Sequence, residues 1–180
     1  MLYLQHVKGS SIRNLKTFQL DFANVIMLFY CPNASGKTTI LEAIYLLSRV
    51  KSFRSKRIND VVSRGDNKLQ IFAKGTLQGG AFTVGIEKGH GLTKLKFNGE
   101  VVQTASEQAK KLPVFLLTPE HQLLYTGAPK ERRHWLDWSL FHVKQDYISN
   151  WKSYHRALRH RNLLLKSENK HISYEISGWE

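Results

Sequence analysis

The sequence has a single cysteine, Cys31, and no apolar run long enough to span a bilayer. One cysteine excludes an intrachain disulfide and any metal site built from several cysteines. No constellation of residues that would activate a thiol is visible, so we interpret Cys31 as a small loop residue rather than a nucleophile. The N-terminus lacks the apolar core of a signal peptide, and we therefore expect a cytoplasmic protein with no membrane segment.

Acidic residues are scarce as well. The chain has 14 Asp and Glu against 27 Lys and Arg, which gives a formal net charge of +13 in 180 residues. Such an excess favours a polyanionic partner, nucleic acid before acidic lipid. The alternative is a chain that has lost an acidic half, and the two explanations are compatible with each other.

Residues 25–39 combine an apolar run, a phosphate-loop motif and the start of a helix. Val25 to Tyr30 are apolar throughout, which predicts a strand buried on both faces. Ser35-Gly36-Lys37-Thr38 matches the closing half of the pattern G-x-x-x-x-G-K-[ST], and apolar residues at helical spacing follow it. The order of strand, loop and helix predicts a binding site for a polyphosphate.

Several residues of this loop have an expected role. Gly36 lets a phosphate approach the backbone, and Lys37 reaches the β- and γ-phosphates. The Thr38 hydroxyl is the expected ligand of Mg²⁺, a cation that prefers oxygen. The candidate nucleotide-binding residues are Cys31, Pro32, Asn33, Ala34, Ser35, Gly36, Lys37 and Thr38.

The opening half of the loop departs from the pattern. Cys31 replaces its first glycine, Pro32 has no N–H to donate, and Ala34 stands where related loops often carry glycine. A side chain at position 31 or 34 costs about 1–2 kcal/mol if that position needs a left-handed backbone. The alternative to nucleotide binding is therefore a degenerate loop that keeps the fold and binds ATP weakly or not at all.

The rest of the sequence predicts strands first and helices afterwards. Met1 to Val7 and Lys16 to Phe22 read as strands, and an antiparallel meander is expected from Leu69 to Val102. Pro113 to Leu117 predicts a further buried strand.

Two helices are expected beyond these strands. The first begins at Pro129, because proline suits the first turn of a helix. The second spans about Asp146 to Lys166 and carries a stripe of aromatic and leucine side chains, which we interpret as core packing.

Two groups of cationic residues are candidates for contact with DNA phosphates. Arg54, Lys56 and Arg57 lie in a short basic run beside an aromatic residue. Arg156 and Arg159 lie on the polar faces of the second expected helix. For both groups the alternative is a solvated surface.

These motifs together resemble the RecF family of bacterial DNA replication and repair ATPases, which are related to SMC and ABC-type ATPase heads. The resemblance begins at Ile12-Arg13-Asn14-Leu15 and continues through the loop into Leu41-Glu42-Ala43-Ile44. The loop alone fits many NTPases, whereas the blocks Arg132-Arg133 and Arg161-Asn162 are far more specific. The resemblance extends over essentially the whole chain.

The resemblance implies an α/β fold of the P-loop ABC/SMC-type ATPase-head class, a mixed sheet with an antiparallel layer plus the start of a helical lobe. We expect residues 1–118 to form the N-terminal part of the head and residues 119–180 to begin an incomplete helical lobe. The resemblance also implies binding of ATP with Mg²⁺, and of single-stranded or gapped DNA and single-strand/double-strand junctions. It further implies support for recombinase loading and SOS induction, partnership with other recombination mediator proteins, and an ATP-dependent homodimer.

Two parts of the hydrolytic apparatus that the resemblance implies are missing from the sequence. No apolar strand ends in Asp-Asp or Asp-Glu as a Walker B motif would, and no segment resembles the Leu-Ser-Gly-Gln signature. In the family both elements lie toward the C-terminus, so we interpret the chain as an N-terminal portion. Phosphoryl transfer depends on charge stabilisation around Mg²⁺, and we therefore expect no ATP hydrolysis by this chain alone.

Three functions compete on this evidence. The first is a RecF-type repair protein that binds ATP and DNA. The second is a truncated basic DNA-binding fragment with a vestigial nucleotide loop, which the departures at Cys31, Pro32 and Ala34 favour. The third is a P-loop kinase or GTPase of another class, against which the predicted meander and the pair Arg132-Arg133 argue.

Overall fold

A computed structural model describes residues 2–23, 26–119, 126–144 and 146–166. The chain divides into two compact units, Met1–Leu117 and Thr118–Glu180. The first unit holds the described strands and the helices α1 (Lys37–Arg49) and α2 (Ala105–Lys111). The second holds the helices α3 (Pro129–Val143) and α4 (Tyr147–Lys166).

The described strands of the first unit form one six-stranded sheet with the order β2-β1-β3-β4-β5-β6. Every neighbouring pair is antiparallel, and the meander predicted from Leu69 to Val102 is confirmed. The strands are β1 (Leu2–Ile12), β2 (Leu15–Asp21), β3 (Lys68–Leu77), β4 (Gly80–Gly89), β5 (Leu92–Phe97) and β6 (Glu100–Val101).

One face of the sheet packs against α1. Leu46 and Leu47 of this helix are fully buried, and they belong to the same core cluster as Val7 of β1 and Leu69 of β3. The alternation of buried and exposed residues along β3 shows why only one face is covered, because successive side chains of a strand point to opposite faces. The other face of the sheet carries both charged and apolar side chains, among them Lys8 and Phe72.

Helix α2 is absent from the sequence prediction, although its start carries a signal. The Thr104 side chain accepts a hydrogen bond of 3.1 Å from the Glu107 N–H, which is half of a capping box. The helix spans only seven residues, too few for an apolar period to stand out. Its buried Gln108 donates to the Leu47 carbonyl over 2.9 Å and so ties α2 to α1.

Two expected strands are wrong. Residues 26–30 and 113–117 lie outside the sheet, and Val25 lies outside the described residues. Ile26 is 85% exposed and Leu28 81% exposed, so the run before the loop is not buried among the described residues. An apolar run predicts a strand only where a neighbour offers hydrogen-bonding groups, and no described strand pairs with either segment.

The two helices expected in the second unit are confirmed, but the interpretation of their aromatic stripe is wrong. No residue of α4 is buried within the described part of this unit, and Tyr154 is 62% exposed. The polar tips of two aromatics meet one carboxylate instead: Asp137 accepts hydrogen bonds from the Tyr147 hydroxyl and, over 3.3 Å, from the Trp151 indole. The bond from Tyr147 to the carboxylate raises the pKa of its hydroxyl to about 12. Residues 120–125 and 167–180 of the expected helical lobe lie outside the described residues.

Candidate nucleotide-binding loop

The loop from Cys31 to Gly36 leads directly into α1. Gly36 precedes the helix with a φ of 101°, and the Ile40 N–H donates to the Gly36 carbonyl over 3.0 Å. The N–H groups of Lys37, Thr38 and Thr39 therefore remain at the helix N-terminus without an intrahelical acceptor. The first turn contains no acidic side chain. These N–H groups and the helix dipole together make this end of α1 favourable for an anion.

Lys37 folds its side chain back over the start of the loop. Its ammonium group donates to the Cys31 carbonyl over 2.6 Å and to the Pro32 carbonyl over 2.8 Å. An ammonium group has three N–H donors, so one donor remains for a further acceptor. Cys31 and Pro32 thus bind Lys37 through their backbone carbonyls. This interaction does not depend on their side chains.

The conformational demand of the loop falls on positions 34 and 36. Gly36 is buried and its φ of 101° favours glycine, while a Cβ there would lie 2.8 Å from the end of the Leu15 side chain and displace it. Ala34 adopts a φ of 65°, in the left-handed region, whereas Cys31 is not among the described residues with positive φ. The alanine that replaces glycine at position 34 therefore has a strained backbone, at a cost of about 1–2 kcal/mol.

Asn14 supports the loop from the turn between β1 and β2, and sequence reasoning gave it no role. Its side-chain amide donates to the Ala34 carbonyl over 3.0 Å, and its carbonyl oxygen accepts from the Thr39 hydroxyl over 3.2 Å. Thr39 is buried, whereas the neighbouring Thr38 is exposed. The two threonines thus differ in use: Thr39 holds the loop against Asn14, and Thr38 is open to solvent and available to a ligand.

A buried carboxylate anchors the segments around the loop. Glu42 of α1 is fully buried and accepts hydrogen bonds from Arg13 Nε over 2.5 Å and from Arg13 Nη2 over 2.8 Å. The Ser52 hydroxyl also donates to Glu42, and Arg54 Nη1 lies 3.6 Å from the carboxylate. The Glu42 bonds raise the pKa of the Arg13 guanidinium, and burial opposes this only in part. We call Arg13, Glu42, Ser52 and Arg54 the Glu42 network.

The Glu42 network changes the interpretation of the first cationic group. Arg54 pairs with a buried carboxylate, so its charge is already partly compensated. Lys56 and Arg57 are exposed on the following segment. Arg156 and Arg159 are exposed on α4, in the other unit. The four exposed residues have no acidic partner within 4.0 Å among the residues that the structure describes.

The described residues contain neither a clustered metal site nor a membrane-spanning helix. No three His, Cys, Asp or Glu side chains cluster as a metal site within the described ranges. None of the described helices has both the length and the apolarity to cross a bilayer.

Sequence comparison identifies the relatives of this chain. It is 36% identical over 178 residues to the DNA replication and repair protein RecF of Pseudoalteromonas translucida, a match that covers 98% of the chain and 49% of that protein. It is 35% identical over 181 residues to RecF of Hahella chejuensis, covering 98% of the chain and 48% of the relative. The chain is a homologue of RecF. It spans about half the length of the curated RecF proteins that it matches, and no protein-family profile matches it.

Solved structures agree with the RecF comparison. The chain matches a structure of the recombination mediator protein RecF with ATP at 26% identity and a TM-score of 0.78, covering 94% of the chain and 46% of that protein. A second RecF structure, described as RecF-ATPrS, gives a TM-score of 0.80 at 27% identity over 97% of the chain and 49% of that protein. An SMC ATPase structure matches with a TM-score of 0.60 at 16% identity, over 76% of the chain and 98% of that structure. The expected α/β ATPase-head fold is thus confirmed. The expectation of a mixed sheet is wrong for the described residues, because the strand at 26–30 that would add a parallel pair lies outside the sheet and every described pair is antiparallel.

We expect the Glu42 network to be a main source of stability in the first unit. Replacing Glu42 by Gln leaves the Arg13 guanidinium without its counter-charge, and we expect the free energy of unfolding to fall by about 3 kcal/mol. The matched control is Glu107→Gln on α2, which removes an exposed ion pair with Lys111 and should change stability little. Urea denaturation of the two variants and the native chain measures the difference. Equal stability of the two variants would contradict a structural role for the network.

Proposed function

We propose that this chain is a RecF-type DNA repair protein that binds ATP with Mg²⁺ through residues 31–38. The observation that carries the proposal is that one loop combines the Lys37 ammonium group, bound to the Cys31 and Pro32 carbonyls, with a helix N-terminus whose first N–H groups have no intrahelical acceptor. The match to a RecF structure described with ATP, over 94% of the chain, supports the same ligand. A polyphosphate is the ligand that suits this combination of cation, helix N-terminus and close backbone approach.

The residues of the loop fit the two groups that they are proposed to hold. The triphosphate would receive the remaining Lys37 donor and the N–H groups at the start of α1. Mg²⁺ would be bound by the Thr38 hydroxyl, which is exposed and offers the oxygen ligand that this hard cation prefers. The metal would supply charge neutralisation between the phosphates. Binding also requires Lys37 to exchange at least part of its bonding to the Cys31 and Pro32 carbonyls for phosphate oxygens.

DNA binding is the second part of the proposal. The net charge of +13, the exposed cations Lys56 and Arg57, and the RecF homology support contact with single-stranded or gapped DNA and with single-strand/double-strand junctions. In this role the protein would support recombinase loading and SOS induction together with other recombination mediator proteins. ATP-dependent pairing of two copies is proposed with it. Because the sequence has neither a Walker B nor a signature motif, we propose that this chain alone binds ATP without hydrolysing it.

A basic DNA-binding fragment with a vestigial nucleotide loop is the second candidate. The left-handed backbone of Ala34 favours it, because glycine would adopt this conformation without strain. We prefer the first candidate because the free energy of binding outweighs the strain. Each charge-assisted hydrogen bond to a phosphate contributes about 1.5–3 kcal/mol, so two such bonds exceed the strain at one alanine.

We expect Lys37→Ala to separate ATP binding from DNA binding. Loss of one charge-assisted contact should weaken binding of a fluorescent ATP analogue with Mg²⁺ by about tenfold or more, while affinity for an oligonucleotide stays nearly unchanged. Lys16→Ala is the matched control, because Lys16 pairs with Asp66 over 3.2 Å rather than with the loop. Equal ATP affinity of Lys37→Ala and the native chain would remove Lys37 from the phosphate site.

We expect the exposed cations after α1 to contribute to DNA binding through counterion release. The double variant Lys56→Gln/Arg57→Gln should reduce the slope of log affinity against log salt by about 1.4 for single-stranded DNA, at about 0.7 per phosphate contact. Arg54 is left in place, because its replacement would also disturb the Glu42 network. Arg156→Gln/Arg159→Gln tests the α4 candidates in the same titration. If replacing either pair of cations leaves the salt slope unchanged, that pair does not contact DNA phosphates and belongs to the solvated surface.

A further inference from the structure

The face of the sheet opposite α1 forms an open groove of about 920 Å³. Its walls and floor come from the strands β1 to β5, and its lining combines charged and polar side chains with apolar surface, including the Phe72 ring on the floor. None of the loop residues 31–38 lines this groove, so it is a surface separate from the nucleotide loop.

The strand register places its central residues in one row. Lys8 on β1 lies opposite Gln19 on β2 and opposite Phe72 on β3. Phe72 in turn faces Gly85 on β4, and Gly85 faces Lys96 on β5. The row therefore reads lysine, phenylalanine, glycine, lysine across four strands. Three strand spacings of about 4.8 Å separate the two lysines.

Gly85 leaves room beside the Phe72 ring. A Cβ at this position would have no neighbour closer than 3.8 Å, so the glycine is not required by packing. Because Gly85 has no side chain, the space next to the Phe72 ring stays open. An aromatic ring with free space at its side is a surface on which another flat ring can stack.

The acidic charge of this groove is already compensated. Glu87 accepts from Gln70 over 2.6 Å and from Lys68 over 3.0 Å, and Lys94 lies 3.8 Å away. These contacts hold the pKa of Glu87 below its usual range, so the carboxylate stays ionised and paired. Lys8 and Lys96 have no acidic partner within 4.0 Å among the described residues. Their charges are therefore available to an anion.

Lys8 currently uses the Phe72 ring as its partner. Its ammonium group lies 5.3 Å from the ring centroid, a cation–π contact that is weak at an exposed site. A phosphate is a stronger partner for an ammonium group than a ring, because the hydrogen bond is charge-assisted on both sides. A phosphate in the groove would draw Lys8 away and leave the ring free.

We propose that this groove binds single-stranded nucleic acid, with a base stacked on Phe72 and backbone phosphates bound by Lys8 and Lys96. The inference rests on the proposed DNA-binding function and assigns a surface to it. Single strands are favoured over duplex because the bases of a duplex are stacked on each other and cannot offer a face to a ring on the groove floor. Aromatic platforms flanked by cations are a general solution for single strands.

The test measures anisotropy of a fluorescent oligothymidylate on the full chain over a range of salt. Lys8→Gln/Lys96→Gln should lower the salt slope by about 1.4, for two phosphate contacts. Phe72→Leu should weaken binding about tenfold with little change of slope, and Phe72→Tyr, which restores a ring, should bind like the native chain. The matched control is Lys16→Gln/Lys111→Gln, which removes two lysines that already have acidic partners.

The outcomes separate the two proposals. If the native chain binds no oligonucleotide, the proposed DNA-binding function and this inference both fail. If it binds but the Lys8/Lys96 pair behaves like the control pair, the groove is excluded and DNA binding stands. If Phe72→Leu weakens a duplex as much as the single strand, stacking of a base is excluded. Loss confined to single strands, restored by Phe72→Tyr, supports the inference.

Discussion

The buried carboxylate of Glu42 is the interaction on which the geometry of the first unit depends. A fully buried charge is costly unless it is paired and hydrogen-bonded, and Glu42 obtains both from Arg13, Ser52 and Arg54. These partners come from the turn after β1 and from the segment after α1. The requirement to satisfy one carboxylate therefore brings three separate parts of the chain to the same place.

The position of the nucleotide loop depends on the contacts of Arg13 with this carboxylate. The Arg13 N–H donates to the Val61 carbonyl over 2.8 Å, which fixes the turn, and the adjacent Asn14 then reaches the Ala34 carbonyl and the Thr39 hydroxyl. A phosphate site needs donors that are held in place before the ligand arrives. In this chain the strain of Ala34 is offset by neighbours that hold the loop from outside. The departures from the glycine-rich pattern therefore weaken the argument for nucleotide binding less than the sequence suggests.

The features that the sequence predicts well are those with local signals. The meander follows from alternating residues and glycine turns, and the helices after Pro129 follow from periodicity. The prediction of a strand at 26–30 is wrong because an apolar run carries no information about its hydrogen-bonding partner. The role of Asn14 and the pairing of Arg13 with Glu42 could not be predicted either. They join residues 20 or more positions apart, and only the fold shows that they meet.

Amide hydrogen exchange tests most directly whether residues 31–38 form a phosphate site that their surroundings hold in place. The native chain would be compared with and without ATP and Mg²⁺, with peptides covering the loop, α1 and the sheet. We predict slower exchange confined to the loop and the first turn of α1, because bound phosphate would occupy those N–H groups. Unchanged exchange in the loop at saturating ATP, or protection only elsewhere in the chain, would contradict the account.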